Sequence, residues 1–389
     1  MFSRTLPWEY AVRNLFRRPL RTTLTCAGLS LVVVLVLVVI GFIRGLERSL
    51  AVSGDPRTVI VFSLGMGENL EYSSIGMRSS DLLAASVPVI EKRYGQSCVS
   101  PELYSGCEIQ IPALPLPAMG LVRGVTPAVI QVRRQVELEE GAWPEVGEVI
   151  VGRLAATKLG LDKSALRLGD TLQFEGRQWR VSGLFSAGGS AFESEIWCRL
   201  DELQQAMKRQ DLSLIAATLS NGGDDFNDVD IFCKERLDLE LQAMRETEYY
   251  ASLKRDYQPI RSLAWLLVFL IAGAGGFAGL NTMYGSVMGR IPELATLQTI
   301  GFLRRAIALS LIQEGMLLAA TACLIGTATA FVFVQGAALR FTMGAIALQL
   351  DETTIAFGCG IGMLIGLAGA IPPAIRALRM PVASALRAV

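Results

Sequence analysis

The sequence predicts a helical membrane protein with four transmembrane helices, one near the amino terminus and three towards the carboxyl terminus, and a large extracytoplasmic α+β domain after the first. Three observations predict this. The chain has 389 residues, of which 51% are apolar, with 36 Lys and Arg against 36 Asp and Glu, and its mean hydropathy is +0.42, too apolar for an ordinary soluble domain. Four windows without charge, 22–43, 262–289, 315–339 and 353–375, each reach the about 20 residues that cross a bilayer. Residues 44–261 hold 24 basic and 31 acidic residues in a patterned stretch far too long for a loop. A net charge of zero argues against a nucleic-acid partner, and the absence of histidine removes His-based triads, zinc sites and acid–base chemistry. Seven cysteines without a CxxC pair support neither a zinc ribbon nor a thioredoxin-like site.

In chain order, residues 1–21 carry Arg4, Arg13, Arg17, Arg18 and Arg21 against Glu9. Trp8, Val12, Leu15 and Phe16 recur at helical spacing opposite Arg13 and Arg17, which reads either as an amphipathic helix lying along the membrane interface and ended by Pro19 or as a basic anchor that only sets topology. The first span, 22–43, is longer than a secretory h-region and no A-x-A site follows it, so it is expected to be retained. In 44–261, β-rich runs alternate with turn residues and helical segments. Strands are expected at 58–64, 108–111, 120–125, 148–151, 195–200, 214–219 and 229–233, with a hairpin of 171–174 and 178–181 about Glu175-Gly176-Arg177. A helix capped by Asp201 is expected to run to Arg209, and a longer one from Leu237 to Tyr257, leading through Pro259 into the second span, 262–289.

Residues 290–314 form the connection to the third span, 315–339. A short loop, 340–352, leads to the fourth span, 353–375, and a tail, 376–389. Basic residues flank the spans in the leading segment, at Arg290, Arg304 and Arg305, and at Arg376, Arg379 and Arg387. The positive-inside rule therefore puts both termini and the 290–314 connection in the cytoplasm and 44–261 across the membrane.

In the connection, proline sits in the first turn, Glu293 lies where the positive end of the helix dipole favours it, and Gly301 can end the helix. Leu294 and Leu297 share a face that could enter an apolar groove of a partner, with Glu293, Arg304 and Arg305 for ionic contacts; a solvated connection is the plainer reading. Glu314 near the third span would cost roughly 2.5–3.5 kcal/mol unpaired at the bilayer centre, so an ion pair with an arginine of the leading helix or the connection is expected. Gly275/Gly279 and Gly362/Gly366 are GxxxG pairs, suited to packing within one subunit or between two. Asp224, Asp225, Asp228 and Asp230 fit no EF-hand spacing and read as a solvated acidic turn. Cys98 with Cys107 and Cys198 with Cys233 are candidate bridges on an oxidising side, with four buried free thiols as the alternative. No cofactor or metal site is expected.

Motifs in register add to this reading. Arg290-Ile-Pro-Glu293-Leu-Ala-Thr-Leu-Gln-Thr-Ile-Gly301-Phe-Leu-Arg304-Arg305, followed by Gln313-Glu314-Gly315, resembles the cytoplasmic loop and third span of MacB/FtsX-type ABC transporter permeases. Ala11-Val-Arg-Asn14 through Arg21 resembles the leading helix of that family. Gly124-Val-Thr-Pro127, Gly147-Glu-Val-Ile-Val-Gly152 and Leu168-Gly-Asp170 through Val181-Ser-Gly183 resemble its periplasmic module, and Ile371-Pro-Pro-Ala374 with Arg379-Met-Pro381 its closing segment. Ile291-Pro292 and the second proline at Pro373 depart from the family pattern.

The resemblance implies a permease subunit in the cell (inner) membrane that pairs with a second permease subunit, identical or not. It also implies a separate cytoplasmic ABC ATPase, which Arg290, Glu293, Leu294, Leu297, Gly301, Arg304 and Arg305 would couple, and leaves room for a periplasmic adaptor. The chain has no G-x-x-x-x-G-K-[ST] loop to cradle phosphates, so it is not expected to be an enzyme. ATP-driven movement of the extracytoplasmic domain would export or release a substrate, a lipoprotein being one the family handles. An FtsX-like regulator of cell-wall hydrolases is the alternative, and the size of the domain favours the export branches.

Overall fold

The computed structural model describes residues 8–379 except 18, 66, 68, 113–114, 163–164, 222–224 and 342–343. Asp224 and tail residues 380–389 therefore lie outside the described residues. The chain divides into two units, one drawn from Met1–Arg44, Pro259–Ala337 and Leu348–Val389, the other from Gly45–Gln258 and Ala338–Ala347.

The first unit is helical. It holds α1 (Trp8–Arg17), the first part of α2 (Pro19–Ser53) and, later in the chain, four helices that follow the α+β unit: Gln258–Met288, Ile291–Thr299, Arg304–Phe333 and Glu352–Arg379. Among the described residues four helices are long and apolar enough to cross a membrane: Pro19–Ser53, Gln258–Met288, Arg304–Phe333 and the last, over Glu352–Arg376. The one-plus-three arrangement is thus present. The third helix stops at Phe333, short of the expected Leu339, because a strand pair occupies Ala338–Phe341 and Gly344–Ala347. The last helix runs through Pro372 and Pro373 without a break.

Glycines let these helices approach closely. A Cβ at Gly366 would collide with the Ala319 side chain and press on the Gly315 carbonyl, one at Gly362 would meet Cys323 and Val33, and one at Gly275 would meet Val32. Both GxxxG pairs therefore contain a glycine that packs within the subunit. Asp351 caps the last helix: its Oδ1 accepts the Thr354 N–H at 2.8 Å, and Arg44 pairs with its Oδ2 at 2.8 Å. Burial pushes the Asp351 carboxyl up, but hydrogen bonds from Thr354, Thr353 and Arg44 outweigh it and hold the group at about 2. Its contribution to stability is therefore complete above the unfolded value and is lost as pH falls through about 2. Asp351→Ala is expected to cost about 1 kcal/mol near neutrality. Thermal unfolding should show the gap to wild type narrowing with acidification, and a pH-independent gap would contradict the cap.

The second unit is α+β. In chain order it comprises β1 (Thr58–Ser63), β2 (Ile75–Gly76), α3 (Arg78–Ser86), β3 (Lys92–Arg93), β4 (Gln96–Ser97), β5 (Val99–Ile109), β6 (Ala118–Val125) and α4 (Val129–Val132). There follow β7 (Glu137–Gly141), β8 (Glu148–Gly152), α5 (Ala155–Lys158), β9 (Thr171–Phe174), β10 (Arg177–Ser186), β11 (Glu195–Arg199), α6 (Leu200–Met207), β12 (Asp211–Leu212), β13 (Leu214–Thr218), α7 (Phe226–Glu235), β14 (Leu241–Arg245) and α8 (Glu246–Asp256). The helices of the first unit continue as α9 (Gln258–Met288), α10 (Ile291–Thr299), α11 (Arg304–Phe333) and α12 (Glu352–Arg379).

The main sheet runs β14-β1-β13-β5-β6-β11-β8-β10-β7, with β9 on β10. It is mixed, since β6/β11 and β8/β10 pair in parallel and the other neighbours antiparallel. Strand β1, Thr-Val-Ile-Val-Phe-Ser, is apolar on both faces because both are covered. Val59 and Val61 enter one core with Leu103, Ile215 and Leu83, and Ile60 and Phe62 enter another with Leu70, Val132 and Leu214. Glu175 and Gly176 both have positive φ, 49° and 72°, so β9 and β10 are joined by a tight two-residue turn.

Buried charge ties the second face together. Arg123 of β6 donates to Glu102 of β5 at 2.6 Å and to both oxygens of Glu195 on β11 at 2.7 Å. Arg133, after α4, donates to Glu102 at 3.1 Å and to Glu246 at the start of α8. All five side chains are at most 5% exposed.

Three expected elements differ. Residues 229–233 are helical, inside α7, not a strand. The stretch from 237 is not one helix: Leu241–Arg245 is the edge strand β14, paired with β1, and the helix starts only at Glu246. Asp201 lies inside the first turn of α6 and Arg199 takes the cap position.

These differences remove the basis for the disulfides. The four cysteines of the α+β unit are free thiols. Cys98 belongs to the core on one face of the sheet and Cys107 to that on the other, so the sheet separates them. Cys233 sits on a helix, so the strand-face argument for Cys198–Cys233 fails. Burial pushes the thiols of Cys107 and Cys233 up to about 12 and that of Cys198 well above its usual value, which leaves them as inert packing groups. Mass spectrometry of denatured, unreduced protein should find Cys98, Cys107, Cys198 and Cys233 all alkylated; a bridged pair would overturn this.

Candidate functional site

The segment between α9 and α11 is built as a rigid turn. Arg290 precedes α10 and folds back: its guanidinium donates to the Ser286 hydroxyl at 3.0 Å and to Glu314 of α11 at 2.5 Å. Arg290 and Glu314 are 8% and 4% exposed, so a buried ion pair locks the connection to α11 ten residues along that helix. Pro292 lies in the first turn of α10 and Glu293 beside it, as dipole and backbone preferences favour. Gly301 has φ of 103°, a left-handed conformation that lets the chain leave α10.

The apolar face of α10 is turned inward. Leu294 is buried against Val287, Ile307, Leu311 and Ala374, and Leu297 and Phe302 pack on the same cluster. This corrects the expectation that Leu294 and Leu297 form a docking face, because the protein's own spans already fill the role of the partner groove. What the segment presents outward is Glu293, Thr296, Ile300, Leu303, Arg304 and Arg305. Ile300 and Leu303 are 57% and 55% exposed. These two residues were missed by sequence reasoning; an apolar pair flanking a glycine turn in a charged connection was the available signal.

Helix α1 joins this face. Arg17 pairs with Glu293 at 3.2 Å, an exposed contact worth about 0–1 kcal/mol. Ala11 and Asn14 are buried, and Leu15 packs against Met283, Leu318 and Ala370. Phe16, on the face expected to meet lipid, is 77% exposed. Arg21 donates to the Thr282 carbonyl at 2.7 Å. Among the described residues no cluster of His, Cys, Asp and Glu could hold a metal ion.

A bundle of membrane-capable helices with this compact charged turn and a separate α+β unit defines a helical membrane protein. The MacB-like periplasmic core domain family matches residues 22–227, and the FtsX-like permease C-terminal family matches residues 265–382. The chain belongs to the MacB/FtsX-type family of ABC transporter permeases.

Among solved structures it is similar to the periplasmic region of MacB from Actinobacillus actinomycetemcomitans, at 13% identity and a TM-score of 0.41, covering 54% of this chain and 97% of that one. It is also similar to the extracellular domain of the noncanonic ABC-type transporter YknZ from Gram-positive bacteria, at 15% identity and a TM-score of 0.37, covering 48% and 99%. No curated protein matches the sequence.

Proposed function

We propose that the chain is the permease subunit through which a separate cytoplasmic ABC ATPase drives movement of the α+β domain, exporting or releasing a substrate on the far side of the cell membrane. It acts with a second permease subunit. The observation that carries this reading is the turn around α10: its inner face is locked to the spans by Leu294 and by the Arg290–Glu314 pair, while Ile300 and Leu303 stand exposed among charged residues. A rigid turn of this kind passes a push at its outer face directly into α9 and α11. Glu314 lies just before the third span window and the four windows themselves carry no charge, which favours mechanical transmission over a polar pore.

The test is co-purification of the chain with an ATPase in lipid nanodiscs and a rise in ATP hydrolysis over the ATPase alone. A chain that inserts yet neither retains an ATPase nor alters its rate would refute the reading.

The proposed topology has both termini in the cytoplasm and 44–261 outside. Cysteines placed at Tyr94, which is 98% exposed, and at Asp225 are expected to react with an impermeant reagent from outside intact cells. Reaction only after the cytoplasm is opened would invert the topology.

A further inference from the structure

Within the α+β unit lies a cavity of about 350 Å³, the size of small-molecule sites. It lies on the sheet face covered by α4 and α8, over Ile60, Leu70, Tyr104 and Leu214. Leu46 and Leu50 of α2 and Leu253 of α8 add apolar wall. Four tyrosines, Tyr104, Tyr249, Tyr250 and Tyr257, also line it. Tyr250 is 9% exposed, and Tyr104 and Tyr249 pack against the same apolar cluster that floors the cavity. Each phenol offers an apolar ring and a polar tip, so the wall suits a ligand with both characters.

The charges set its sign. Arg123 and Arg133 reach the wall, but their guanidiniums are held by three carboxylates, Glu102, Glu195 and Glu246. The buried cluster is therefore one negative charge in excess, and Glu71 and Asp256 add further acid to the lining. Burial pushes the Glu246 carboxyl above its usual range, as an uncompensated charge in a low-dielectric site requires. The Tyr104 ring already carries the Arg123 guanidinium, but the electron-rich rings of Tyr249, Tyr250 and Tyr257 beside surplus carboxylate attract organic cations, while leucines accept an apolar tail.

We infer that this cavity is a binding site for an amphiphilic organic ammonium ion, its charged head among the tyrosines and carboxylates and its apolar tail along Leu46, Leu50 and Leu253. The site stands independently of ATPase coupling, because every group that forms it lies within the α+β unit.

The experiment uses the full chain in lipid nanodiscs, titrated calorimetrically with octylammonium, octanoate and octanol, with uptake by empty nanodiscs subtracted. Saturable binding of octylammonium is expected, about tenfold tighter than octanoate. Leu253→Trp, which fills the cavity from the half-exposed side of α8, should abolish it while leaving the thermal midpoint of the unit near wild type. Tyr250→Phe removes only a hydroxyl and should weaken binding severalfold, a readout that holds even if Leu253→Trp fails to fold. Uptake no greater than by empty nanodiscs would overturn the inference. So would octanoate binding as tightly as octylammonium, or octylammonium binding unchanged in folded Leu253→Trp or, where that variant does not fold, in Tyr250→Phe.

Discussion

Arg123→Met is expected to destabilise the α+β unit by about 3–5 kcal/mol, the range for removing one partner of a buried ion pair. Arg123 is 4% exposed and anchors two carboxylates from different strands, Glu102 on β5 and Glu195 on β11. Its loss leaves Glu195 with the Trp197 indole N–H as its remaining side-chain donor, at 2.7 Å, and leaves Glu102 to Arg133 alone. The stacking of the guanidinium over Tyr104, 4.5 Å from the ring centroid, is lost as well. Denaturant unfolding of the full chain, followed by fluorescence of the buried Trp179 and Trp197, measures the effect, and a loss under about 1 kcal/mol would show the network to be idle.

Its pH dependence separates this mechanism from a packing defect. In the wild type, burial pushes Glu102 up, but Arg133 and Arg123 outweigh it and hold the carboxyl below its usual value. Glu102 thus stabilises above its unfolded pKa of about 4.3, and that contribution is lost as pH falls through the lower folded value. Glu246, held up by burial, works in the opposite sense and loses its contribution as pH rises through its folded value. Without Arg123 the orphaned carboxylates are driven towards protonation, so the deficit of the variant should shrink as pH drops below about 5. A second substitution, Glu195→Gln, should recover part of the loss near neutrality, since it removes the unpaired charge.

None of this network was legible in the sequence. Its five members are spread from Glu102 to Glu246, and only the register of β5, β6 and β11 brings the first of them together. The strands themselves were legible wherever β-branched runs alternate or are apolar throughout, as at β1, β6, β8 and β13. The misread segment at 229–233 satisfies two periods at once. Val229, Ile231 and Cys233 alternate as a strand would, yet Val229, Phe232 and Cys233 fall at helical spacing, and those three are the residues α7 buries. Asp228 in the first turn and Lys234 in the last were the helix-dipole signals that could have decided it. For 241–245 the opposite holds, because good helix formers are drawn into β14 by pairing with β1, a tertiary gain that local propensity does not contain. Around α10 the pattern identified the apolar face but not its partner, since Leu294 and Leu297 read alike whether they meet another chain or their own spans.

That distinction makes the largest functional effect a prediction about Ile300 and Leu303. The double variant Ile300→Asp with Leu303→Asp is expected to abolish ATPase stimulation by the chain while leaving insertion and the thermal midpoint intact. Both side chains are more than half exposed, so carboxylates there are solvated in the free permease and cost its fold little. In a complex they would be desolvated at the centre of the contact, where a misplaced charge costs several kcal/mol, enough for a loss of affinity of about a hundredfold or more. Glu293→Arg tests the charged rim of the same surface. It also puts like charge beside Arg17, which now pairs with Glu293 at 3.2 Å, and a smaller loss is expected because rim charges act mainly on encounter. Leu294→Asp is the counter-experiment: this side chain is 7% exposed and packs on Val287, Ile307 and Leu311, so its substitution should destabilise the helical unit and lower the yield of inserted protein as well as coupling. Wild-type stimulation by the Ile300/Leu303 double variant would show that the outward face of this turn is bare solvent-facing surface and that the ATPase engages the permease elsewhere.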